Sequence, residues 1–511
     1  MTSRISTPHR IGPPHRTRAP SGKADATPAP GKRALALLRP GLASGVALLL
    51  AGCVGFSGDG GMAGVVSGSS ASIGKDVVRI SDDQSAAVAK ERVDRLLRKP
   101  LTADAAVQVA LLNNRGLQAA FNQLGVAEAQ MVAASLPPNP RFGISKLSGR
   151  FEVEIERQVV GNLLALATLP ARAEIARDQF GIARRQTVEA VLKLAADTRR
   201  QYWRAVAANA EVAFYQQAKA TATATTELFR RLGESGGVNK IDQAREFAFD
   251  AELTVQLAEA RRRQGEERER LVRQLGLWGA DARFRLPSDL PATPRPQTAK
   301  AIEAEALRQR IDMQIARDEL AMLARSLGLT QAVRFINDAE LLGRRTYDRG
   351  RDITEHVSVR RESARSTTLE LEIEIPIYDF GQSKVAMAEQ TYMQAANRLA
   401  EKAVNIRSEA REAYASYRAS HDIVRQYQNN VLPLRKIIQD ESLLQYNGML
   451  TDVTELLTDA RNRILSNVAA INARRDFWIA HTNFRHALIG GGVGSSGGAM
   501  VGPTPAAAAG H

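Results

Sequence analysis

Leu369-Glu370-Leu371-Glu372-Ile373-Glu374 and Phe151-Glu152-Val153-Glu154-Ile155-Glu156 are the two stretches on which the fold turns. Each alternates an apolar residue with a glutamate, and a period of two puts the apolar side chains on one face of a strand and the carboxylates on the other. The stretches lie 218 residues apart in register, so the same strand is written twice. Weaker strand patterns precede them, near Pro140 to Leu147 and near Val333 to Leu341, so each copy belongs to a strand pair.

The duplication extends outward from the strands. Thr198-Arg199-Arg200-Gln201-Tyr202 corresponds to Ala410-Arg411-Glu412-Ala413-Tyr414 at an offset of 212, Gly237 to Gly448 at 211, and Leu275 to Leu488 at 213. Leu117-Gln118-Ala119-Ala120 matches Met313-Gln314-Ile315-Ala316 more loosely. Self-similarity at one period defines two tandem units, 101–290 and 296–490, divided near Pro287 to Pro296. Each is expected to hold a helix (102–135 and 298–327), the strand pair, a very long helix (171–233 and 383–446) and a return helix (239–276 and 451–489). At ~1.5 Å per residue the long helices run roughly 95 Å, more than a compact enzyme domain accommodates.

Their spacing predicts how they pack. Val188, Leu192, Ala195, Arg199, Tyr202, Val206, Ala210 and Ala213 step mostly by four and three, as do Ile406, Ala410, Ala413, Tyr417, Ser420, Val424 and Tyr427. An average near 3.5 is the coiled-coil repeat, and the many alanines let backbones approach closely. Pro433, late in the second long helix, is expected to kink or interrupt it.

Composition narrows the function. The 511 residues carry 69 Lys+Arg against 55 Asp+Glu, a net +14, with one cysteine and 5% aromatics. A disulfide framework is excluded by the single cysteine. Eight of the cations (Arg4, Arg10, Arg16, Arg18, Lys23, Lys32, Arg33, Arg39) and one acid (Asp25) fall before residue 53, so about half of the net charge belongs to a leader. The remainder has no dense basic block, and a nucleic-acid partner is not expected. Gly68 to Asp76 mimics a phosphate loop, but its glycines are six apart and Asp76 replaces the Ser/Thr that would meet magnesium. There is no CxxC, and His481 and His486, five apart on a helix, do not share a face, so neither an enzyme nor a metal or cofactor site is expected.

The leader has a signal-peptide pattern: Lys32-Arg33, a short apolar run ending Leu48-Leu49-Leu50, then Ala51-Gly52-Cys53. The run is shorter than the ~20 residues that span a bilayer. Leu50-Ala51-Gly52-Cys53 resembles the lipobox of bacterial lipoproteins, which implies removal of 1–52 and acylation at Cys53. Val54, where some lipoproteins carry aspartate, implies sorting to the outer membrane. The segment 53–100 is then a lipidated tether whose start, 54–75, is rich in Gly and Ser and reads as flexible, and 491–511 is a Gly/Ala-rich tail.

Together these residues resemble the TolC family of bacterial outer-membrane efflux proteins, in its lipobox-bearing branch. The likeness covers roughly 100–490 and rests on Leu101-Thr102-Ala103-Asp104-Ala105-Ala106 through Asn113-Asn114-Arg115, Leu136-Pro137-Pro138-Asn139-Pro140, Ile375-Pro376-Ile377-Tyr378-Asp379-Phe380-Gly381 and Ala487-Leu488-Ile489-Gly490. The resemblance implies a mainly α chain with a small membrane β part. Duplicated long-helix hairpins form an α-helical periplasmic barrel, and a homotrimer pools four strands per chain into a 12-stranded transmembrane β-barrel. It also implies a periplasmic adaptor and an inner-membrane pump as partners. The adaptor would touch the turns Gly236, Gly237, Val238, Asn239 and Gly448, Met449, Leu450, Thr451.

Lumen-lining candidates are Glu152, Glu154, Glu156, Glu370, Glu372 and Glu374. Some family members narrow the tunnel end with aspartates after the second turn. Here Thr454 and Leu457 hold the nearest positions, so Asp452, Thr454, Glu455 and Asp459 are the constriction candidates. The first repeat lacks a counterpart to Tyr378-Asp379-Phe380-Gly381, so its passage from strand to helix is expected to differ. The rival reading is a lipid-anchored periplasmic coiled-coil scaffold or adaptor without a pore.

Overall fold

The computed structural model describes residues 55–149, 152–298, 301–354, 358–448 and 450–491. The leader, Cys53, Arg150, Phe151, Met449 and the tail from 492 lie outside the described residues. The first element corrects the expectation of a flexible tether, because α1 (Met62–Ile73) is a regular helix laid against the first repeat. Met62, Val65 and Ser69, spaced on one helical face, are buried, and the first two join a cluster with Phe121, Val188 and Leu192. Gly68 lets this approach happen, since a Cβ there would meet Val188 at 3.3 Å. The phosphate-loop lookalike is thus the end of a packed helix and the turn that follows it. Next comes α2 (Asp83–Leu97), capped by Asp82, whose carboxylate accepts the Ser85 N–H at 2.7 Å.

The first repeat opens with two helices where one was expected, α3 (Ala103–Asn113) and α4 (Arg115–Ser135). They break at Asn114, whose Oδ1 accepts the Leu117 N–H at 3.1 Å while its Nδ2 donates to the Gln274 carbonyl at 2.9 Å. Strands β1 (Arg141–Ser148) and β2 (Glu152–Asn162) follow, then a short α5 (Leu163–Ala167). The long helix α6 (Leu169–Glu234) has 66 residues, about 100 Å. It turns back into α7 (Lys240–Leu275).

The second repeat copies this plan. Helices α8 (Ile302–Gln309) and α9 (Ile311–Ala332) break at Arg310, the position equivalent to Asn114. Strands β3 (Asp338–Thr354) and β4 (Ser358–Glu374) come next, 17 residues each. The partner strand read near Val333 to Leu341 therefore starts later and runs further. Val333 ends α9, and the outer part of β3 was illegible because Arg344, Arg345, Asp348 and Arg349 interrupt any apolar alternation. After α10 (Gln382–Gln426), a π segment over Tyr427–Val431 hands over to α11 (Leu432–Asn447). Pro433 thus interrupts the helix as expected: it has no N–H to donate, and the wider turn before it absorbs the mismatch. The return helix is α12 (Val453–Ile489).

Packing follows the alanine-rich seams. On α10 the buried positions are Ile406, Ala410, Ala413, Tyr417 and Val424, five of the seven read from the sequence, while Ser420 and Tyr427 are half-buried. On α6 the series holds through Ala210 and then slips: Ala213 is exposed while Val212 and Tyr215 are buried. A straight helix of 3.6 residues per turn drifts off a 3.5 repeat in this way. The repeats lock together where the Trp203 and Trp478 rings stack at 4.7 Å, and within the first repeat the Tyr202 hydroxyl donates to the Leu101 carbonyl at 2.9 Å. The four strands form one antiparallel sheet in the order β1-β2-β3-β4, with β2 and β3 joining the two repeats.

Candidate functional site

The register of the sheet sorts its charges. Glu154 opposes Asp348, Glu156 opposes Thr346, Leu342 opposes Glu370 and Glu340 opposes Glu372, so all six glutamates singled out in the sequence share one face. Among the residues whose side chains are described, Asp338, Glu340 and Asp348 join them, against Arg141 and Arg344. Both cations are engaged there, Arg344 with Glu156 at 2.9 Å and Arg141 with Glu340. The six glutamates are not one cluster. Glu152, Glu154 and Glu156 sit toward the hairpin ends, and Glu370, Glu372 and Glu374 sit next to the helices, which the sequence pattern alone did not place.

The opposite face carries Phe142, Ile144, Val153, Ile155, Val159, Leu341, Leu369, Leu371 and Ile373. Phe142, Ile144 and Leu369 are at least 75% exposed in the single chain, whereas the Glu156 and Glu340 side chains retain about a fifth of their exposure (23% and 21%). Both β1 and β4 leave one backbone edge unpaired. Among the described residues no helix is long and apolar enough to cross a membrane.

Two different elbows join the sheet to the helices. In the first repeat Asn162 caps α5, its Oδ1 accepting the Ala165 N–H at 2.7 Å, and its amide donates to Asp338. In the second, Phe380 and Gly381 are both left-handed (φ 48° and 71°), and Asp379 accepts the Gly381 N–H at 2.9 Å. A Cβ on Gly381 would lie 2.2 Å from the Arg334 carbonyl oxygen, so only glycine fits.

At the other end of the long helices the two turns come together. Phe229, Phe249, Val453 and Leu457 share a core that Val238 and Tyr446 also flank, and Arg461 reaches Glu252 at 2.9 Å. Gly236 is left-handed (φ 77°), and Asn239 caps α7 by accepting the Asp242 N–H at 2.8 Å. Gly236, Gly237 and Asn239 are exposed, Val238 is half-buried, and Leu450 is 81% exposed. Of the adaptor-turn residues only Met449 lies outside the described ones.

The constriction candidates divide. Asp452 caps α12 through the Glu455 N–H at 2.9 Å, Thr451 donates to Glu455, and Ser442 donates to Asp459 between α11 and α12. Asp452, Thr454 and Glu455 are exposed on one surface, whereas Leu457 is buried.

The sequence reading missed Glu246, 1% exposed on α7 just behind these turns. Burial and the neighbouring Asp250 push its pKa up to about 7. The unfolded carboxyl titrates near 4.5, so the folded chain holds the extra proton between these values and loses stability as pH rises through them. Glu246→Gln is expected to stabilise the hairpins at pH 8 by at most about 3 kcal/mol and to give no gain below pH 4.5. Thermal unfolding followed at both pH values checks it; an equal gain at the two ends would exclude a titrating Glu246.

His481 and His486 are neutral at pH 7, both held down to about 4, first of all by burial. His481 packs against Tyr417 and Trp478. Among the described residues no group of three or more His, Cys, Asp or Glu side chains is placed to hold a metal ion.

The chain thus consists of duplicated helical hairpins, whose long helices run about 100 Å, carrying four antiparallel strands with one acidic and one largely apolar face. No protein-family model matches the chain, and no curated protein matches it in sequence. Solved structures do match. CusC, described for the conformational changes that accompany its folding and transmembrane channel formation, superposes with a TM-score of 0.63 at 17% identity, over 76% of this chain and 92% of that one. The outer-membrane channel OprN gives 0.61 at 18% identity over 83% and 95%. The CmeC outer-membrane channel of Campylobacter jejuni gives 0.63 at 16% over 80% and 87%. The chain therefore has the fold of the TolC-type outer-membrane channels.

Proposed function

We propose that this chain is the outer-membrane channel component of a tripartite efflux or export system in a Gram-negative bacterium. Three copies pool their strands into one 12-stranded barrel, and their hairpins continue it as a tunnel through the periplasm. The observation that carries the reading is the sheet itself, with its charge segregated by face and both edges open. Because β1 and β4 run in opposite directions, β4 of one copy can pair antiparallel with β1 of the next, and three copies then close on an even number of strands. The acidic face lines a water-filled lumen and the apolar face meets lipid. Exposed Ile241 and Val255 on α7, and Leu434, Ile437 and Leu444 on α11, are apolar surface for neighbouring subunits to cover.

In this reading Cys53 carries the lipid that holds the amino terminus to the outer membrane. The turns at Gly236–Asn239 and Gly448–Thr451 meet a periplasmic adaptor, through which an inner-membrane pump delivers substrate, and Asp452, Thr454 and Glu455 stand where the tunnel narrows. Purified full-length protein in detergent is expected to run as a heat-labile trimer and to give stepwise conductance in planar bilayers. A monomer that becomes soluble once Cys53 is replaced, and that gives no conductance, means a lipid-anchored scaffold instead.

A further inference from the structure

The face opposite the glutamates is not uniformly apolar. Three successive rows toward the hairpin ends read Ile144–Arg157–Arg345–Thr367, Lys146–Ile155–Tyr347–Arg365 and Ser148–Val153–Arg349–Ser363. They hold five cations, and no acidic residue occurs on this face from β1 to residue 363 of β4. Arg157 and Arg345 are directly opposed across β2 and β3, an arrangement of like charges that destabilises a sheet unless an anion lies between them. Among the described residues the sheet's ion pairs, Arg344 with Glu156 and Arg141 with Glu340, are on the acidic face. Among the described residues none of the five cations meets a carboxylate, and Arg365 instead lies 5.7 Å from the centre of the Tyr347 ring.

The rows sit at a definite depth. From Ile375 to Thr367 the strand advances about 27 Å, or roughly 20 Å of membrane depth at a tilt of ~40°, close to the apolar height of outer-membrane barrels. Leu369, Leu371 and Ile373 fill that span, and the cations begin where it ends, on the side away from the helices. Ile144, Ile155, Val153 and Tyr347 are interleaved with them, a mixture that belongs to an interface between hydrocarbon and water.

We propose that this belt, which rests on the barrel reading above, binds the phosphate groups of anionic lipid headgroups in the outer leaflet. It thereby fixes the height of the barrel in the membrane. Repeated in three copies, the Arg157–Arg345 pair gives three equivalent sites, each flanked by Lys146, Arg365 and Arg349. Guanidinium pairs suit phosphate because they donate in a planar fork.

Full-length trimer in a mild detergent, incubated with equal amounts of lipid A and phosphatidylcholine, is to be weighed by native mass spectrometry. The native protein is expected to retain lipid A at least about fivefold over phosphatidylcholine, and R157Q/R345Q/R365Q to lose that preference. The charge-keeping variant R157K/R345K/R365K should keep part of it. Inorganic phosphate at an equal phosphate concentration should not displace the lipid; displacement would mean a site for free phosphate and overturn the lipid assignment. Conductance is recorded for each variant. A glutamine variant that conducts normally and retains lipid A as the native chain does overturns the belt while leaving the channel intact. Native protein without trimer or conductance overturns the channel reading, and the belt with it. Should the triple variant fail to assemble, R345Q alone is to be measured, with at least a twofold loss of preference expected and no loss counting against the belt.

Discussion

Replacing Arg310 with methionine is expected to destabilise the folded chain by about 3–5 kcal/mol, the largest single-residue effect we foresee. Arg310 is 1% exposed, at the break between α8 and α9. Its Nη2 and Nε donate to the Asp312 carboxylate at 2.8 and 3.0 Å, and its Nη1 to Glu409 on α10 at 2.6 Å. Burial opposes the charge, yet the two carboxylates more than offset it, and the guanidinium is held above its ordinary pKa. Methionine fills the volume but leaves the buried Asp312 with only Lys402, at 4.0 Å, to answer its charge, and removing one partner of a buried pair is what makes such breaks costly. Removing both ends, with R310M/D312L, should restore a large part of the loss. Thermal unfolding of the two variants in detergent measures the difference. If R310M unfolds within about 1 °C of the native chain, the network is not a structural fixture. The equivalent Asn114 binds the Gln274 carbonyl with a neutral amide, so Asn114→Ala should cost less, about 1–2 kcal/mol.

The second large effect concerns permeation. With Glu370, Glu372 and Glu374 in the lumen, E370Q/E372Q/E374Q removes nine carboxylates from a trimer, and rings of carboxylates make a pore prefer cations. In a tenfold gradient of potassium chloride the reversal potential should move toward zero by roughly half. Glu156 is already paired with Arg344 at 2.9 Å, so E156Q alone should shift it less. An unchanged reversal potential in the triple variant would remove these glutamates from the lumen. Arg360, which the register puts on the same face as these glutamates, has a side chain outside the described ones.

Much of this was legible along the chain because the information was periodic. Alternation at two gave β2 and the end of β4, spacing near 3.5 gave the seam on α10, and offsets near 212 gave the duplication. Pro433 marked the π segment before α11. What escaped had no period of its own. The helix α1 looked like linker because its glycines and serines are small, and small residues are what let it lie on α6. The outer parts of β3 and β4 carry charge on both faces, which hides a strand. Glu246 looks like any surface glutamate until Thr226 of α6 and Tyr446 of α11 come close to it.

The sequence by itself determined the two repeats, the lengths of their helices and the acidic side of each strand, since each depends on neighbours two to four residues away. Only the tertiary structure decided that both acidic sides face the same way. That depends on the pairing of β2 with β3, across nearly two hundred residues, and a slip of one residue there would have turned half of the glutamates toward the cations. The same register gathered Arg157, Arg345, Lys146 and Arg365 into one belt. Charges scattered through four strands acquire a common face only when hydrogen bonding between distant segments sets their order.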